Sequence, residues 1–314
     1  MKPTTKIFVA GHRGMVGSAI VRHLQKQGFE NITTRSRPEL DLCDQKAVQD
    51  FFKETKPEEV YLAAAKVGGV HANNTYPAEF IYENLMVQAN VIHQAFLSGV
   101  KKLLFLGSSC IYPREVSQPM SEDALLTGKL EPTNEPYAIA KIAGLKLIEA
   151  YRNQWNRRWI SAMPTNLYGP RDSFDLETAH VLPALIHRFH NAKISKSPEV
   201  TIWGDGTPLR EFLHVEDLAR ACMMLLNQYD DSVSINVGSG QEISISNLAL
   251  LISKIVGFKG DIAYNVARPN GTPRKFLNSE KISKLGWKPE INLEDGITLT
   301  YDWFLKYHIK ENNS

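Results

Sequence analysis

The fold of the first half of the chain is decided by residues 7–17, Ile7-Phe8-Val9-Ala10-Gly11-His12-Arg13-Gly14-Met15-Val16-Gly17. The apolar start predicts a buried strand, and the three glycines predict a tight turn into a helix. Gly11 permits the turn, Gly14 lets the backbone approach a ligand, and Gly17 allows the helix to pack closely on the sheet. Because a helix N-terminus favours anions, the stretch predicts a pyrophosphate site, with a plain strand-turn-helix unit as the alternative.

Short apolar runs alternate with longer amphipathic runs through the first 167 residues, which predicts repeated βαβ units. Right-handed crossovers then give an α/β fold with a doubly wound, Rossmann-type parallel sheet, whose ligand crevice lies at the carboxyl ends of the strands. The predicted strands are 6–10, 31–34, 59–64, 102–106 and 159–164, and the predicted helices are 15–27, 45–54, 78–98 and 136–153.

The regular alternation ends after residues 168–170, and predicted turns at 204–208 and 269–273 indicate a smaller, mixed α/β substrate lobe. A predicted helix at 215–227 and a predicted strand at 232–237 return to the first lobe. We therefore expect a cofactor domain at 1–167 plus about 212–240, and a substrate lobe at 168–211 plus 241–314. Only the tail at 310–314 is expected to fray.

The composition excludes several classes of protein. With 36 basic and 34 acidic residues, the net charge of +2 is too balanced to suggest binding to nucleic acid or to an acidic membrane surface. Three scattered cysteines argue against a disulfide framework or a CxxC metal site, and there is no HExxH motif. No membrane-spanning run or signal peptide is evident. We expect a cytoplasmic protein without a metal.

Two arginines, Arg35 and Arg37, follow the second predicted strand. A site for NAD usually places an acidic residue there, whereas arginine can bind the 2′-phosphate of NADP. The sequence therefore favours NADP(H), with a solvated basic loop as the alternative. Asp41 or Asp44 is placed to contact the adenine, and either is equally suited to cap the helix that follows.

A hydroxyl pair with a supporting lysine is predicted near the crevice. Tyr137 and Lys141 stand four residues apart on one helix face, and Ser108 follows the strand at 102–106. A nearby ammonium is expected to lower the pKa of the phenol toward that of a general acid or base, while Ser108 holds a substrate carbonyl. Each feature alone also has a purely structural explanation, since tyrosine–lysine pairs with this spacing occur on solvated helix faces and serines are common in turns.

Cys110 and His180 are candidates for a second kind of proton transfer. Cationic neighbours can lower the pKa of a thiol enough for it to remove a proton next to a ketone, and His180 is the candidate for the opposing acid. A buried, inert cysteine is the alternative for Cys110. We expect His187 and His190, on the helix that His180 opens, to be packing or surface residues.

Taken together, these stretches closely resemble the extended short-chain dehydrogenase/reductases and, within them, the GDP-L-fucose synthase family. The resemblance covers nearly the whole chain and is carried by residues 10–19, 62–69, 107–113, 135–141, 164–170 and 210–215, and by Cys110 and His180. It implies 3,5-epimerisation of GDP-4-keto-6-deoxy-D-mannose followed by reduction of the 4-ketone with NADPH. It also implies a homodimer.

The resemblance also implies binding residues. Cofactor contacts are expected at Gly11, His12, Arg13, Gly14, Met15, Val16, Gly17, Arg35, Arg37, Asp41, Leu42, Leu106, Gly107, Lys141, Pro164, Asn166, Leu167 and His180. Contacts with the GDP-sugar are expected at Arg188, Trp203, Arg210 and Asn270, for which solvated charges and core packing are the alternatives. Asn270 and Asn278 stand where the family commonly has aspartate, which puts the substrate contacts there in doubt.

Three other functions fit the same motifs less well. One is a reductase of a related GDP-4-keto sugar with little epimerase activity. Another is a non-catalytic NADPH sensor, which would not need Ser108, Tyr137 and Lys141 together. A sugar-nucleotide 4-epimerase would retain NAD and would not need Arg35 or Arg37.

Overall fold

The computed structural model describes residues 3–176, 178–267 and 270–309. Its first half contains β1 (Ile7–Ala10), α1 (Met15–Lys26), β2 (Ile32–Thr33), α2 (Gln45–Thr55), β3 (Glu59–Leu62), α3 (Val70–Thr75), α4 (Pro77–Leu97), β4 (Lys102–Leu106), α5 (Glu135–Trp155) and β5 (Arg158–Pro164). Every predicted strand and helix of this half is present, with ends shifted by at most two residues. Helix α3 was not predicted because six residues are too few to show a helical period.

The second half consists of β6 (Asn166–Tyr168), α6 (Val181–Ile194), β7 (Glu199–Trp203), β8 (Leu209–His214), α7 (Val215–Gln228), β9 (Ile235–Val237), β10 (Glu242–Ser244), α8 (Ile245–Val256), β11 (Asp261–Asn265), β12 (Arg274–Lys275), α9 (Glu280–Lys284) and α10 (Leu293–Trp303). A π-helical segment, Phe304–His308, follows α10. The predictions of a helix at 215–227 and a strand at 232–237 are confirmed by α7 and β9, although β9 begins three residues later than predicted. The other strands of this half have six residues or fewer, and sequence periodicity did not reveal them because they are so short. The expected fraying of residues 310–314 lies outside the described residues.

Six parallel strands form the main sheet in the order β2-β1-β3-β4-β5-β9. Strand β1 is completely buried, and its alternate residues face opposite sides. Phe8 packs with α2, α4 and α5 on one face, whereas Ile7 and Val9 pack with α1 and α7 on the other. Both faces of the sheet are therefore covered, and the prediction of a doubly wound parallel sheet is confirmed.

The shorter strands form two smaller sheets and surround a third apolar core. Strand β8 lies between antiparallel β10 and parallel β12 and also pairs with β6, while β7 pairs with β11. The third core is formed mainly by α6, α8, α10 and the π-helical segment. This confirms the mixed α/β character of the second half, while the lobe boundaries stay a prediction. None of the described helices is long and apolar enough to cross a membrane.

Candidate active site

The glycine turn between β1 and α1 has little room for side chains. Gly11 has a φ of +88°, and a Cβ there would lie 2.7 Å from the backbone nitrogen of Ala64. A Cβ on Gly17 would lie 2.2 Å from the carbonyl oxygen of Gly11, whereas the nearest atom to a Cβ on Gly14 is 3.5 Å away. Gly11 and Gly17 are therefore required by the protein's own packing. Gly14 is exposed and its position leaves space for a ligand.

The N-terminus of α1 faces this space, and no side chain of the helix occupies the position that an anion would take. Its N-cap is Gly14, which provides no side-chain cap, and its first turn contains no acidic residue. His12 and Arg13 lie in the same turn, and burial lowers the pKa of His12, with Arg13 adding to the effect. A helix N-terminus of this kind can hold a pyrophosphate.

The two arginines after β2 are exposed at the same edge of the sheet. Arg35 donates to the carbonyl of Thr34 at 2.9 Å, and its guanidinium lies 5.7 Å from the Phe51 ring centroid. Arg37 makes a 3.2 Å ion pair with Glu83 of α4, and Glu83 also accepts from Lys66 at 2.7 Å. The site thus contains exposed cations that can receive a phosphate, one of them already paired with a carboxylate.

The alternatives for the two aspartates are resolved in part. Asp44 is the N-cap of α2 and accepts from the backbone N–H groups of Lys46 and Ala47. Asp41 is exposed and accepts from the N–H of Cys43 at 2.9 Å. Capping is therefore the role that Asp44 fills, while Asp41 stays available at the rim of the crevice, beside Leu42.

The remaining expected cofactor residues lie at the carboxyl ends of β4 and β5. Leu106 ends β4 and Gly107 follows it, while Pro164 ends β5 and Asn166 and Leu167 begin β6. The carbonyl of Leu106 accepts from the ammonium of Lys141 at 2.8 Å, and the amide of Asn166 donates to the carbonyl of Glu211 at 2.8 Å. Parallel topology therefore brings these residues to the same edge as the glycine turn.

Ser108, Cys110 and Tyr137 form one cluster. Cys110 is buried in a 3₁₀ turn, and its Sγ lies 2.9 Å from Ser108 Oγ. Burial and the charge of Cys110 raise the pKa of Tyr137, while a hydrogen bond with Ser108 opposes the rise. This corrects the expectation that Lys141 lowers the pKa of Tyr137. The phenol is protonated at neutral pH and can act as a proton donor.

Lys141 is buried one helical turn from Tyr137, as the spacing predicts. Its Nζ lies 5.8 Å from the Tyr137 ring centroid and 4.9 Å from that of Phe105. Burial lowers the pKa of Lys141 to about 8, although the charge of Cys110 opposes the shift. The pKa of the phenol is raised although this ammonium lies nearby, because burial has the largest effect on Tyr137.

His180 is the N-cap of α6, so the helix begins one residue later than expected. Its side chain remains accessible although protein atoms surround it, which is typical of a cleft. Burial lowers its pKa, and Lys275 lowers it further. His187 and His190 are packing residues, as expected: their Nδ1 atoms contact the carbonyl of Phe174 at 2.6 Å and the hydroxyl of Tyr301 at 3.0 Å.

Two of the four expected substrate residues, Arg188 and Trp203, contact each other. The Arg188 guanidinium lies 5.2 Å from the Trp203 ring centroid, and Trp203 is 56% exposed, so core packing does not explain it. Arg210 is half-buried, and burial lowers its pKa. The Asn270 side chain accepts from the N–H of Asp205 at 2.9 Å and thereby holds its loop against the turn after β7.

Sequence analysis missed Lys275. It lies opposite Arg210 in the pairing of β12 with β8, and it lines a small cavity together with Cys110. Its charge also affects His180. The signal in the sequence was a lysine five residues after Asn270, but nothing in that spacing indicated that it reaches Cys110.

Comparison with known proteins identifies the family. The sequence profile of the NAD dependent epimerase/dehydratase family matches residues 7–238. The chain belongs to this family. It is 59% identical over 303 residues to GDP-L-fucose synthase 1 of Arabidopsis thaliana, covering 96% of this chain and 94% of that relative. The predicted family resemblance and the prediction of an enzyme are confirmed.

Solved structures agree with this assignment. A GDP-L-fucose synthetase from Naegleria fowleri bound to NADP has a TM-score of 0.91 and 26% identity, with 98% of this chain and 96% of that chain covered. A GDP-mannoheptose C4 reductase from Campylobacter jejuni, with NADP bound, has a TM-score of 0.89 and 41% identity, with 97% of this chain and 99% of that chain covered. These comparisons confirm the fold and the prediction of NADP(H).

Proposed function

We propose that this enzyme converts GDP-4-keto-6-deoxy-D-mannose into GDP-L-fucose by epimerisation at carbons 3 and 5 and reduction of the 4-ketone with NADPH. The identity to a GDP-L-fucose synthase supports the substrate. The observation that carries the proposal is the cluster at the end of β4, in which the thiol of Cys110 and the hydroxyl of Ser108 lie 2.9 Å apart. A simple reductase needs the hydroxyl but has no use for the thiol.

The chain's own residues fit the bound cofactor. Its pyrophosphate would lie at the N-terminus of α1 beside Gly14, and its 2′-phosphate at Arg35 and Arg37. Lys141 would hold the nicotinamide ribose. When bound, NADPH supplies the hydride that reduces the 4-ketone.

During reduction, Ser108 and Tyr137 hold the ketone oxygen. The raised pKa of Tyr137 keeps the phenol protonated, so it can transfer its proton to the oxygen as negative charge develops there. The buried ammonium of Lys141 lies close enough to favour the phenolate that results.

During epimerisation, Cys110 removes the proton next to the ketone, and His180 delivers a proton to the opposite face of the same carbon. Ser108 and Tyr137 stabilise the enolate oxygen, so both reactions use the same two hydroxyls. The pKa of His180 is lowered, chiefly by the protein atoms around it, so its protonated form is a stronger acid toward the substrate carbon.

The nucleotide part of the substrate would be held by Arg188, Trp203, Arg210 and Asn270. Arg188 and Arg210 are half-buried cations suited to a pyrophosphate, and Trp203 offers an exposed ring for stacking. We also propose that the enzyme is a homodimer, as the family resemblance implies, and that it is cytoplasmic, since its three scattered cysteines suit a reducing compartment.

The decisive experiment is to follow NADPH oxidation in D₂O with GDP-4-keto-6-deoxy-D-mannose and to analyse the product by NMR. We expect GDP-L-fucose carrying deuterium at carbons 3 and 5. In Cys110→Ser this deuterium should be lost, whereas Cys43→Ser, which changes a cysteine outside the cluster, should behave like the parent.

A second function is a 4-reductase of a related GDP-4-keto sugar, favoured by the similarity to the C4 reductase. NADPH oxidation without deuterium at either carbon would support this reading and would remove Cys110 and His180 from the proposed roles. If Tyr137→Phe turned over as fast as the parent, the proposed proton donor would be wrong.

A further inference from the structure

Gly69 contacts the backbone of the two residues that precede His180. Its N–H donates to the carbonyl oxygen of Thr178 at 2.8 Å. A Cβ on Gly69 would lie 2.8 Å from the carbonyl oxygen of Ala179 and 2.9 Å from that of Thr178. Both distances are well below van der Waals contact. The segment before His180 can therefore lie where it does because residue 69 has no side chain.

The backbone conformation of Gly69 does not itself require glycine. Its φ of −65° and ψ of −179° lie in the extended region, which alanine adopts readily. The residue is buried at the start of α3. Space for the segment before His180 is therefore the reason for glycine at this position.

The turn formed by Gly68 and Gly69 is fixed from the side of α3. The buried side-chain amide of Asn73 donates to the carbonyl of Gly68 at 2.8 Å and to that of Gly69 at 3.0 Å, and the backbone N–H of Asn73 donates to Gly69 at 3.1 Å. The turn is thus held by three hydrogen bonds, and a methyl group on it would displace the segment that it faces.

That segment is also held on both sides of His180. Before it, the N–H and the hydroxyl of Thr178 donate to Oδ1 of Asp175, each at 2.8 Å, and the N–H of Ala179 donates to the Asp175 carbonyl at 2.9 Å. After it, α6 begins, and the N–H of Ala184 donates to the His180 carbonyl at 3.1 Å. A displacement of Thr178 and Ala179 would therefore be passed on to His180.

The two glycines face different parts of the site. A Cβ on Gly68 would lie 3.0 Å from the Cβ of Ala72 and 3.3 Å from the ring of Phe80. The Phe80 ring in turn packs edge-on against that of Tyr137, with the ring centroids 6.3 Å apart. The turn therefore lies between the residue that packs against Tyr137 and the segment that carries His180, and it sets their separation.

We propose that Gly69 is a positioning residue that places His180 for proton delivery to the substrate carbon. The inference deepens the proposed function and rests on it for the role of His180. A methyl group at residue 69 would push the preceding segment away by about half an ångström. Proton transfer depends steeply on such distances, since a misplacement of about 1 Å can slow a reaction about 100-fold.

The test separates epimerisation from reduction in Gly69→Ala. With NADP⁺ in place of NADPH no hydride is available, so NMR of GDP-4-keto-6-deoxy-D-mannose follows inversion at carbons 3 and 5 alone. We expect inversion to be about tenfold slower than in the parent. Reduction is measured as NADPH oxidation with ketone that the parent enzyme has already epimerised and from which that enzyme has been filtered. We expect the parent's rate, because the nearest described atoms to the added methyl belong to Thr178 and Ala179.

Gly68→Ala is the matched control, because it adds the same methyl to the same turn but toward Ala72 and Phe80. It should invert the substrate at close to the parent's rate. If Gly69→Ala does not fold, Asp175→Ala loosens the same segment from its exposed side by removing both hydrogen bonds to Thr178. We expect slower inversion with unchanged reduction in Asp175→Ala, and the parent's behaviour in Asp175→Asn, which keeps an acceptor oxygen.

A folded Gly69→Ala variant that inverts at the parent's rate would overturn the inference. A parallel fall in inversion and reduction would also overturn it, since that result indicates a general disturbance of the site. His180→Gln separates the inference from the proposed function. If His180→Gln inverted the substrate as fast as the parent, the proposed role of His180 would be refuted. If it failed to invert while Gly69→Ala inverted normally, the positioning role of Gly69 alone would be refuted.

Discussion

Two single-methyl substitutions in the glycine turn should have different effects. A Cβ on Gly17 would lie 2.2 Å from the carbonyl oxygen of Gly11, about 1 Å closer than van der Waals contact allows. Helix α1 would have to move away from the turn. A Cβ on Gly14 would have its nearest neighbour at 3.5 Å, and the φ of −75° at this residue suits alanine. The unliganded protein can therefore accept Gly14→Ala and cannot accept Gly17→Ala without rearrangement.

The expected magnitudes follow from this geometry. Overpacking of a buried site costs about 1–3 kcal/mol, so Gly17→Ala should lower the melting temperature by about 2–10 °C and also weaken NADPH binding. Gly14→Ala should leave stability unchanged or raise it by about 0.4–1 kcal/mol, since alanine restricts the unfolded chain. It should nevertheless raise the NADPH Kd about tenfold or more, because the methyl group occupies space expected for the pyrophosphate.

Thermal unfolding without NADPH and fluorescence titration with NADPH measure the two effects separately. If Gly14→Ala bound NADPH as tightly as the parent, the proposed location of the pyrophosphate would be wrong. If Gly17→Ala were as stable as the parent, the close approach of α1 to the turn would have no energetic consequence.

Three further predictions concern charge. Replacing both Arg35 and Arg37 by alanine should raise the NADPH Kd about ten- to hundredfold and leave the NADH Kd nearly unchanged, as measured by titration with each cofactor. In a pH–rate profile, turnover should fall above a pH of about 8, where Lys141 loses its proton. A folded Lys141→Arg variant should show this fall at higher pH, because arginine keeps its charge. Glu211→Ala should lower the free energy of unfolding, measured with urea, by about 2–6 kcal/mol, because Glu211 is fully buried and accepts from the N–H groups of Gly240 and Leu277. Glu211→Gln keeps a hydrogen-bond acceptor, so its free energy of unfolding should fall by less.

The sequence predicted the main sheet well because its signals are local. An apolar strand, three spaced glycines and an amphipathic helix identify the first βαβ unit without knowledge of distant contacts. The same holds for Tyr137 and Lys141, whose proximity follows from helix geometry.

What the sequence could not predict depends on long-range packing. Helix spacing placed Lys141 near Tyr137, but only the fold shows that its ammonium donates to Leu106 and that burial raises the pKa of the phenol. Lys275 is 165 residues from Cys110 along the chain. Their proximity depends on the register of a two-residue strand, which no local pattern specifies.

The ion pair between Arg37 and Glu83 has a consequence for the ionic-strength dependence of cofactor binding. A 2′-phosphate that binds Arg37 must compete with a carboxylate already in place 3.2 Å away. Added salt screens the attraction between arginine and phosphate, but it also weakens the competing pair. The two effects partly cancel, so affinity for NADPH should fall less steeply with salt than the number of cations at the site suggests.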